Sequence, residues 1–199
     1  MANLDTDSEE LRQRILDAAQ ERFTTYGYGK TTMVEIAQDA RMSAANLYRY
    51  FQSKQDIGAA CAERCMSVRN DHIRQAIRNP KLSASERLHT FVLEAYRINL
   101  EMNQSQPKIN ELVEYVTQER KAMVYAKIDA QVSLLSEILA YGNQSGEFEI
   151  ADVVAQARYV YASLALFDVP IFIHLYDQEE FEKLIDGVVE LMLAGLRKR

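Results

Sequence analysis

The segment from Lys30 to Lys54 gathers the residues best suited to chemistry, and that chemistry is recognition rather than bond making. It holds Ala44, Ala45 and Asn46, then Tyr48, Arg49 and Tyr50, then Lys54. Two small residues in a row let a helix backbone approach base edges, and a carboxamide reads a base through paired hydrogen bonds. Tyrosine hydroxyls and a lysine suit phosphate oxygens, while an arginine serves backbone or base. Nothing comparable points to catalysis. There is no phosphate loop, nucleophile elbow or triad spacing, so the chain reads as a non-enzyme. His72, His89 and His174 are scattered without HxxxH or HExxH spacing, which argues against a metal site, and no cofactor is expected. Cys61 and Cys65, four apart, fit neither a zinc ribbon nor a CxxC motif; they read as core thiols in a reducing compartment, with a redox sensor as the alternative.

Recognition residues need elements that position them. Upstream, Leu11, Ile15, Ala18, Ala19, Arg22 and Phe23 recur at three-and-four spacing, which predicts a helix from about Glu9 to Tyr26, closed by Gly27. A short helix follows over about 32–40, with Thr31 or Thr32 as cap and Glu35 completing a capping box after Thr32. The turn Arg41-Met42-Ser43 leads into a second short helix, AANLYRYF, capped by Ser43. Leu47 and Phe51, four apart, are expected to face inward onto Ile36 and Phe23. Two short helices joined by a three-residue turn and braced by a longer one are what helix-turn-helix DNA binding requires. An ordinary amphipathic helix carrying two surface tyrosines gives the same periodicity, so spacing alone leaves both readings open.

The rest of the chain predicts helices at about 54–79, 83–103, 107–117, 119–141, 152–174 and 178–197. With 7 Gly and 3 Pro in 199 residues, there is little material for the tight turns of a sheet protein. The acidic start MANLDTDSEE is unlike a signal peptide, and no run approaches the roughly 18 apolar residues of a membrane span. A cytoplasmic, nucleoid-associated protein with no membrane partner is expected. The net charge of −6 argues at first against nucleic acid. Its distribution argues otherwise: from Arg22 to Lys54, the basic residues Arg22, Lys30, Arg41, Arg49 and Lys54 outweigh Glu35 and Asp39, a local charge of +3. The last two helices carry more apolar surface than one core face needs. Val160, Leu164, Phe181, Leu184, Ile185, Val188 and Met192 are the candidates for a homodimer interface, with Gly187, Ala194 and Gly195 permitting close approach. Burial within a monomer is the alternative.

The pattern Lys30-Thr31-Thr32, Ile36-Ala37, Ala40, Met42-Ser43, Leu47-Tyr48, Tyr50-Phe51 and Ser53-Lys54 resembles the DNA-binding signature of the TetR family, and ILDAAQERFTTYGY looks like that family's first helix. The resemblance covers about residues 8–60. It departs at Arg41, where the family has Gly, and at Met42, where it has Val. It implies an all-α fold of about nine helices, with a helix-turn-helix domain over 8–55 and a helical ligand-binding and dimerisation domain over 56–199. The implied DNA contacts fall on Thr32, Met33, Ser43, Ala44, Ala45, Asn46, Tyr48, Arg49, Tyr50 and Lys54. The implied partners are double-stranded operator DNA, a second copy of the chain and a small-molecule inducer. The implied function is that of a repressor released by the inducer, the alternative being a C-terminal domain that only dimerises or binds a protein. Candidate inducer-lining residues are Tyr96, Asn99, Met102, Tyr115, Met123, Tyr125, Phe167 and His174, with plain core as the bland alternative. Asp168 lies in an apolar run and needs a partner; capping the turn at Pro170 is favoured over meeting a cationic ligand or a cross-dimer base. Glu111 and Glu114 read as solvated charge.

Overall fold

A computed structural model describes residues 2–105, 108–169 and 172–198, and ten helices account for most of them. They are α1 (Ala2–Tyr26), α2 (Met33–Asp39), α3 (Ala44–Leu47), α4 (Lys54–Ile77), α5 (Ala84–Ser105), α6 (Ile109–Glu119), α7 (Lys121–Ser145), α8 (Val153–Ser163), α9 (Ala165–Asp168) and α10 (Gln178–Leu196). The chain divides into two compact units, Met1–Met66 with Ser105–Val124, and Ser67–Gln104 with Tyr125–Arg199.

In the first unit, α1 buries Ile15, Ala18, Ala19 and Phe23 of its predicted stripe together with Leu16, while Leu11 and Arg22 are half-buried. It stops at Gly27, whose φ of 95° is left-handed and whose N–H donates to the Phe23 carbonyl at 3.2 Å, a single-bond helix stop. α1 packs on α2, and α2 on α3. Ile36, Leu47, Phe51 and Ile57 are fully or nearly buried beneath them.

In the second unit, one cluster joins Leu88, Phe91 and Tyr96 of α5, Leu135, Ile138 and Leu139 of α7, Val160 of α8, and Phe181, Ile185 and Val189 of α10. Several predicted helices have different bounds, the first being α1 of the other unit, which begins at Ala2 rather than at about Glu9. α7 runs through Gly142 to Ser145, because the missing side chain at 142 is filled by the Phe148 ring; the left-handed stop falls instead on Gly146, at φ 78°. The single helix expected over 152–174 is broken into α8 and α9, with Leu164 at φ −93°, ψ 8° between them. Val169, preceding a proline, is extended at φ −98°, ψ 117°, as the clash with a proline ring dictates. The chain end differs too. Arg197, expected in the last helix, instead pairs with Phe148 in an antiparallel bridge, and the Lys198 N–H donates to the Glu147 carbonyl.

Candidate nucleic-acid interface

A recognition surface needs side chains free at solvent on a backbone that is held from behind. The Thr32 hydroxyl accepts from the Glu35 N–H at 3.3 Å, and the Glu35 carboxylate accepts from the Thr32 N–H at 2.9 Å, completing the predicted capping box of α2. α2 ends in a double-bonded stop: Met42 N–H to the Ala37 carbonyl at 2.9 Å and Arg41 N–H to the Gln38 carbonyl at 3.0 Å. Arg41 occupies the left-handed position of that stop at φ 55°, where glycine is the low-strain choice. The Ser43 hydroxyl then accepts from the Asn46 N–H at 3.2 Å and starts α3. α3 is a single turn, shorter than the predicted eight residues, and the chain continues through turns at 48–50 before Phe51 returns to the core.

None of the ten expected DNA-contact residues is buried. Thr32, Ser43, Ala45, Tyr48 and Arg49 are exposed, and Met33, Ala44, Asn46, Tyr50 and Lys54 are half-buried. The charge of this segment sorts itself. Arg22 is engaged by both Asp39 and Glu35, which spends the acidic charge internally. Lys30, Arg41 and Arg49 stay exposed, with no ion pair to any described residue. Lys54 is more committed than a simple phosphate contact. Its ammonium donates to the carbonyls of Tyr28 at 2.8 Å and Gly29 at 3.2 Å, and lies 4.7 Å from the Tyr28 ring centroid. Burial holds its pKa below the usual lysine value, opposed by the charges of Glu111 and Glu35.

α6 belongs to this same unit, which its periodicity did not reveal. The Glu111 carboxylate, read from sequence as solvated charge, accepts from the Gly29 N–H at 2.8 Å and covers Gly27. Tyr115 stacks on Tyr28 with centroids 4.9 Å apart, and Arg120 donates to Asp56 at 3.1 Å. Tyr115 therefore belongs with the helix-turn-helix rather than with the other inducer-lining candidates, and half-buried Met123 lies in the same unit. Cys61 is fully buried and its thiol donates to the Leu16 carbonyl at 3.6 Å; burial pushes its pKa up to about 12, which suits a core thiol rather than a redox sensor.

In the second unit, Tyr96, Asn99 and Phe167 come together. Tyr96 stacks on Phe181 at 4.9 Å, Phe167 meets Phe181 edge-on at 6.3 Å, and the Asn99 amide donates to the carbonyls of Phe167 and Asp168. Met102 is half-buried on α5. Tyr125 is 64% exposed, and exposed His174 pairs with Asn103 at 3.2 Å, so neither joins that cluster. The turn at Pro170 that the Asp168 carboxylate was expected to cap lies outside the described residues; among the described residues, that carboxylate is the meeting point of three donors. It accepts from Arg69 on one oxygen, and from Lys127 at 2.8 Å and the Tyr161 hydroxyl at 2.7 Å on the other. Burial raises its pKa, but the charges of Arg69 and Lys127 outweigh this and hold it below the usual aspartate value. Sequence reasoning missed Arg69, Lys127 and Tyr161; its one signal was that a carboxylate in an apolar run demands partners.

The dimer candidates divide. Val160, Leu164, Phe181 and Ile185 are buried in the subunit's own core, so the apolar surplus of the last helices lies elsewhere. Leu184, Val188 and Met192 are half-buried at the edge of that core. Exposed on the same helix, α10, are Gly187, Leu191, Ala194 and Gly195, with Leu191 77% exposed, and on α8 Val154 and Tyr159 are exposed too.

An all-helical chain with a helix-turn-helix held at solvent in this way is a DNA-binding transcription regulator. The family profile described as "Bacterial regulatory proteins, tetR family" matches residues 15–61, and one described as "Tetracyclin repressor-like, C-terminal domain" matches residues 84–189. The chain belongs to the TetR family. It is similar to the HTH-type transcriptional regulator QacR of Staphylococcus aureus, at 24% identity over 193 residues, covering 94% of this chain and 99% of that protein. Among solved structures, it is similar to a transcriptional regulator from Cytophaga hutchinsonii, with a TM-score of 0.72, 26% identity, and 92% and 97% of the two chains covered. It also shares the fold of a SmeT–triclosan complex, with a TM-score of 0.64, 20% identity, and 95% and 92% covered. No described helix is long and apolar enough to cross a membrane.

Proposed function

We propose that the protein is a repressor that binds a pseudo-palindromic operator as a homodimer and is released by a small-molecule inducer, acting in the cytoplasm on the nucleoid. The observation that carries the DNA-binding part is the set of ten residues, none of them buried, on α2 and α3, their caps, the turn at 48–50 and the start of α4, backed by buried Ile36, Leu47 and Phe51. Ala44, Ala45, Asn46 and Arg49 read bases; Thr32, Met33, Ser43, Tyr48, Tyr50 and Lys54 position the head on the backbone. Lys54 does so partly by ordering the turn after α1, through its bonds to Tyr28 and Gly29. Two-fold proteins match two-fold sites, and the exposed stripe of α10 centred on Leu191, with Val154 and Tyr159 of α8, supplies an apolar face for a second copy. The inducer reading is supported by the SmeT–triclosan complex and by the polar centre around Asp168.

Binding to duplexes drawn from the flanking intergenic DNA and from a random pool, measured by fluorescence anisotropy against salt, tests the reading. Asn46→Ala changes sequence preference by about 1–3 kcal/mol per contact. Lys54→Ala weakens every duplex alike and flattens the salt slope by about one per half-site. Absence of salt-dependent binding to any duplex defeats it.

A further inference from the structure

The polar centre of the second unit gathers two positive groups, buried Arg69 and half-buried Lys127, around one carboxylate. Arg69 and Lys127 both face the one carboxylate of Asp168. A guanidinium has five N–H donors. Nη2 of Arg69 is on Asp168, while Nε and Nη1 are buried without an acceptor, on a side chain only 7% exposed. Tyr161 gives no relief, because its hydroxyl donates to the same carboxylate and burial with Asp168 nearby keeps it protonated. One turn after Lys127, Gln131 is fully buried with its side-chain oxygen also unpartnered. Buried polar groups are otherwise nearly always satisfied, so such a residue at the centre of a fold marks a place where something else completes the bonding. Beside Asp168 the surroundings are apolar: Phe167 meets Phe181, which stacks on Tyr96. Lys127 is 24% exposed and carries the cluster out to solvent.

We propose that this centre receives the carboxylate of a small amphipathic acid, an organic anion with an apolar or aromatic body, on the free Nε–H of Arg69. The inference rests on the reading that this region binds an effector, and it names the effector's class. A cationic head group meets two cations against one carboxylate, and a neutral amide brings no charge to offset the surplus. Asp168 keeps Nη2 and Lys127 in place while the ligand carboxylate takes Nε–H, and Nη1, on the opposite edge of the guanidinium, is left to water.

The experiment follows the Arg69 Nε–H signal by 15N NMR, and the melting temperature, of the full chain titrated with 4-phenylbutyrate and decanoate, each beside its uncharged amide. The acids shift the Arg69 signal saturably and raise the melting temperature; the amides do neither. Arg69→Lys keeps the charge but loses the directed Nε–H donor, and weakens binding by about tenfold or more. Lys127→Met leaves the Arg69–Asp168 pair intact, guards against misfolding at Arg69, and weakens binding by about threefold or more. An Arg69 signal unmoved by either acid, amides that act like the acids, or variants that bind like wild type overturn the proposal; an unmoved signal means that water alone completes Arg69. DNA affinity, measured in parallel, separates the two readings. Acid bound at Arg69 with DNA affinity unchanged upholds this site and defeats the inducer reading. A ligand that releases DNA equally from wild type and Arg69→Lys upholds the inducer reading and defeats this site.

Discussion

The two units satisfy their polar groups at different ranges along the chain. In the helix-turn-helix, the decisive bonds join near neighbours: Thr32 with Glu35, Ser43 with Asn46, and Ser53 with Asp56, all three residues apart. In the second unit the decisive bonds converge from far apart, since Asp168 meets a residue 99 positions away and another 41 away. Local satisfaction starts and stops the two short helices from within a short stretch of chain, while distant Glu111 and Tyr115 of α6 brace the turn after α1. Long-range satisfaction makes a centre that exists only once four helices have packed, and that a change in any one of them unbalances.

If that contrast is real, the largest effect belongs to the long-range centre. Asp168→Ala strands the Arg69 guanidinium beside Lys127 without its carboxylate, and chemical denaturation should show a loss of about 3–5 kcal/mol. The same group gives the centre a pH signature. Its folded pKa lies below its unfolded one, so its stabilising contribution is complete above the ordinary aspartate range and is lost as pH falls through the lowered value. Denaturation curves at falling pH should show this loss in wild type, and Asp168→Asn should remove it. In the helix-turn-helix, Thr32→Ala removes one half of a capping box and should cost about 1 kcal/mol. A loss as large as that at Asp168 would erase the distinction between the units. The smallest effect runs the other way. Arg41→Gly relieves a left-handed arginine, offset by the greater freedom of glycine in the unfolded chain, and should stabilise by about 0.5 kcal/mol in thermal melts. Arg41→Ala, with the same strain, should not.

Range also decides what could be read from the sequence. The capping box at Thr32, the Ser43 cap, the stop at Gly27 and the inward pair Leu47 and Phe51 were all legible, because each depends on residues within one or two helical turns. The all-α class was legible for the same reason. The partners of Asp168 were not, since nothing in the spacing of residues 69, 127, 161 and 168 brings them together. Nor could periodicity separate a helix face that meets its own core from one that meets a partner. Phe181 and Ile185 of α10 are fully buried within the subunit, while Leu191 on the same helix is largely exposed. The docking of α6 was hidden likewise. Leu112 and Val116 mark a buried face, but only the fold shows that Glu111 on the same helix reaches the turn after α1. The break between α8 and α9 at Leu164 was not legible, because Pro170 lies six residues further on.

The contact between Glu111 and the turn at Gly27 has a consequence for how this sequence can drift. A Cβ at position 27 would lie 2.6 Å from a Glu111 carboxylate oxygen, on a backbone that already disfavours side chains. Any lineage that gains a side chain at 27 must displace Glu111 from the Gly29 N–H, after which the acid at 111 has lost its reason to be kept. The two positions, 84 apart in sequence, are therefore expected to covary across descendants, with substitutions at one permissive for substitutions at the other.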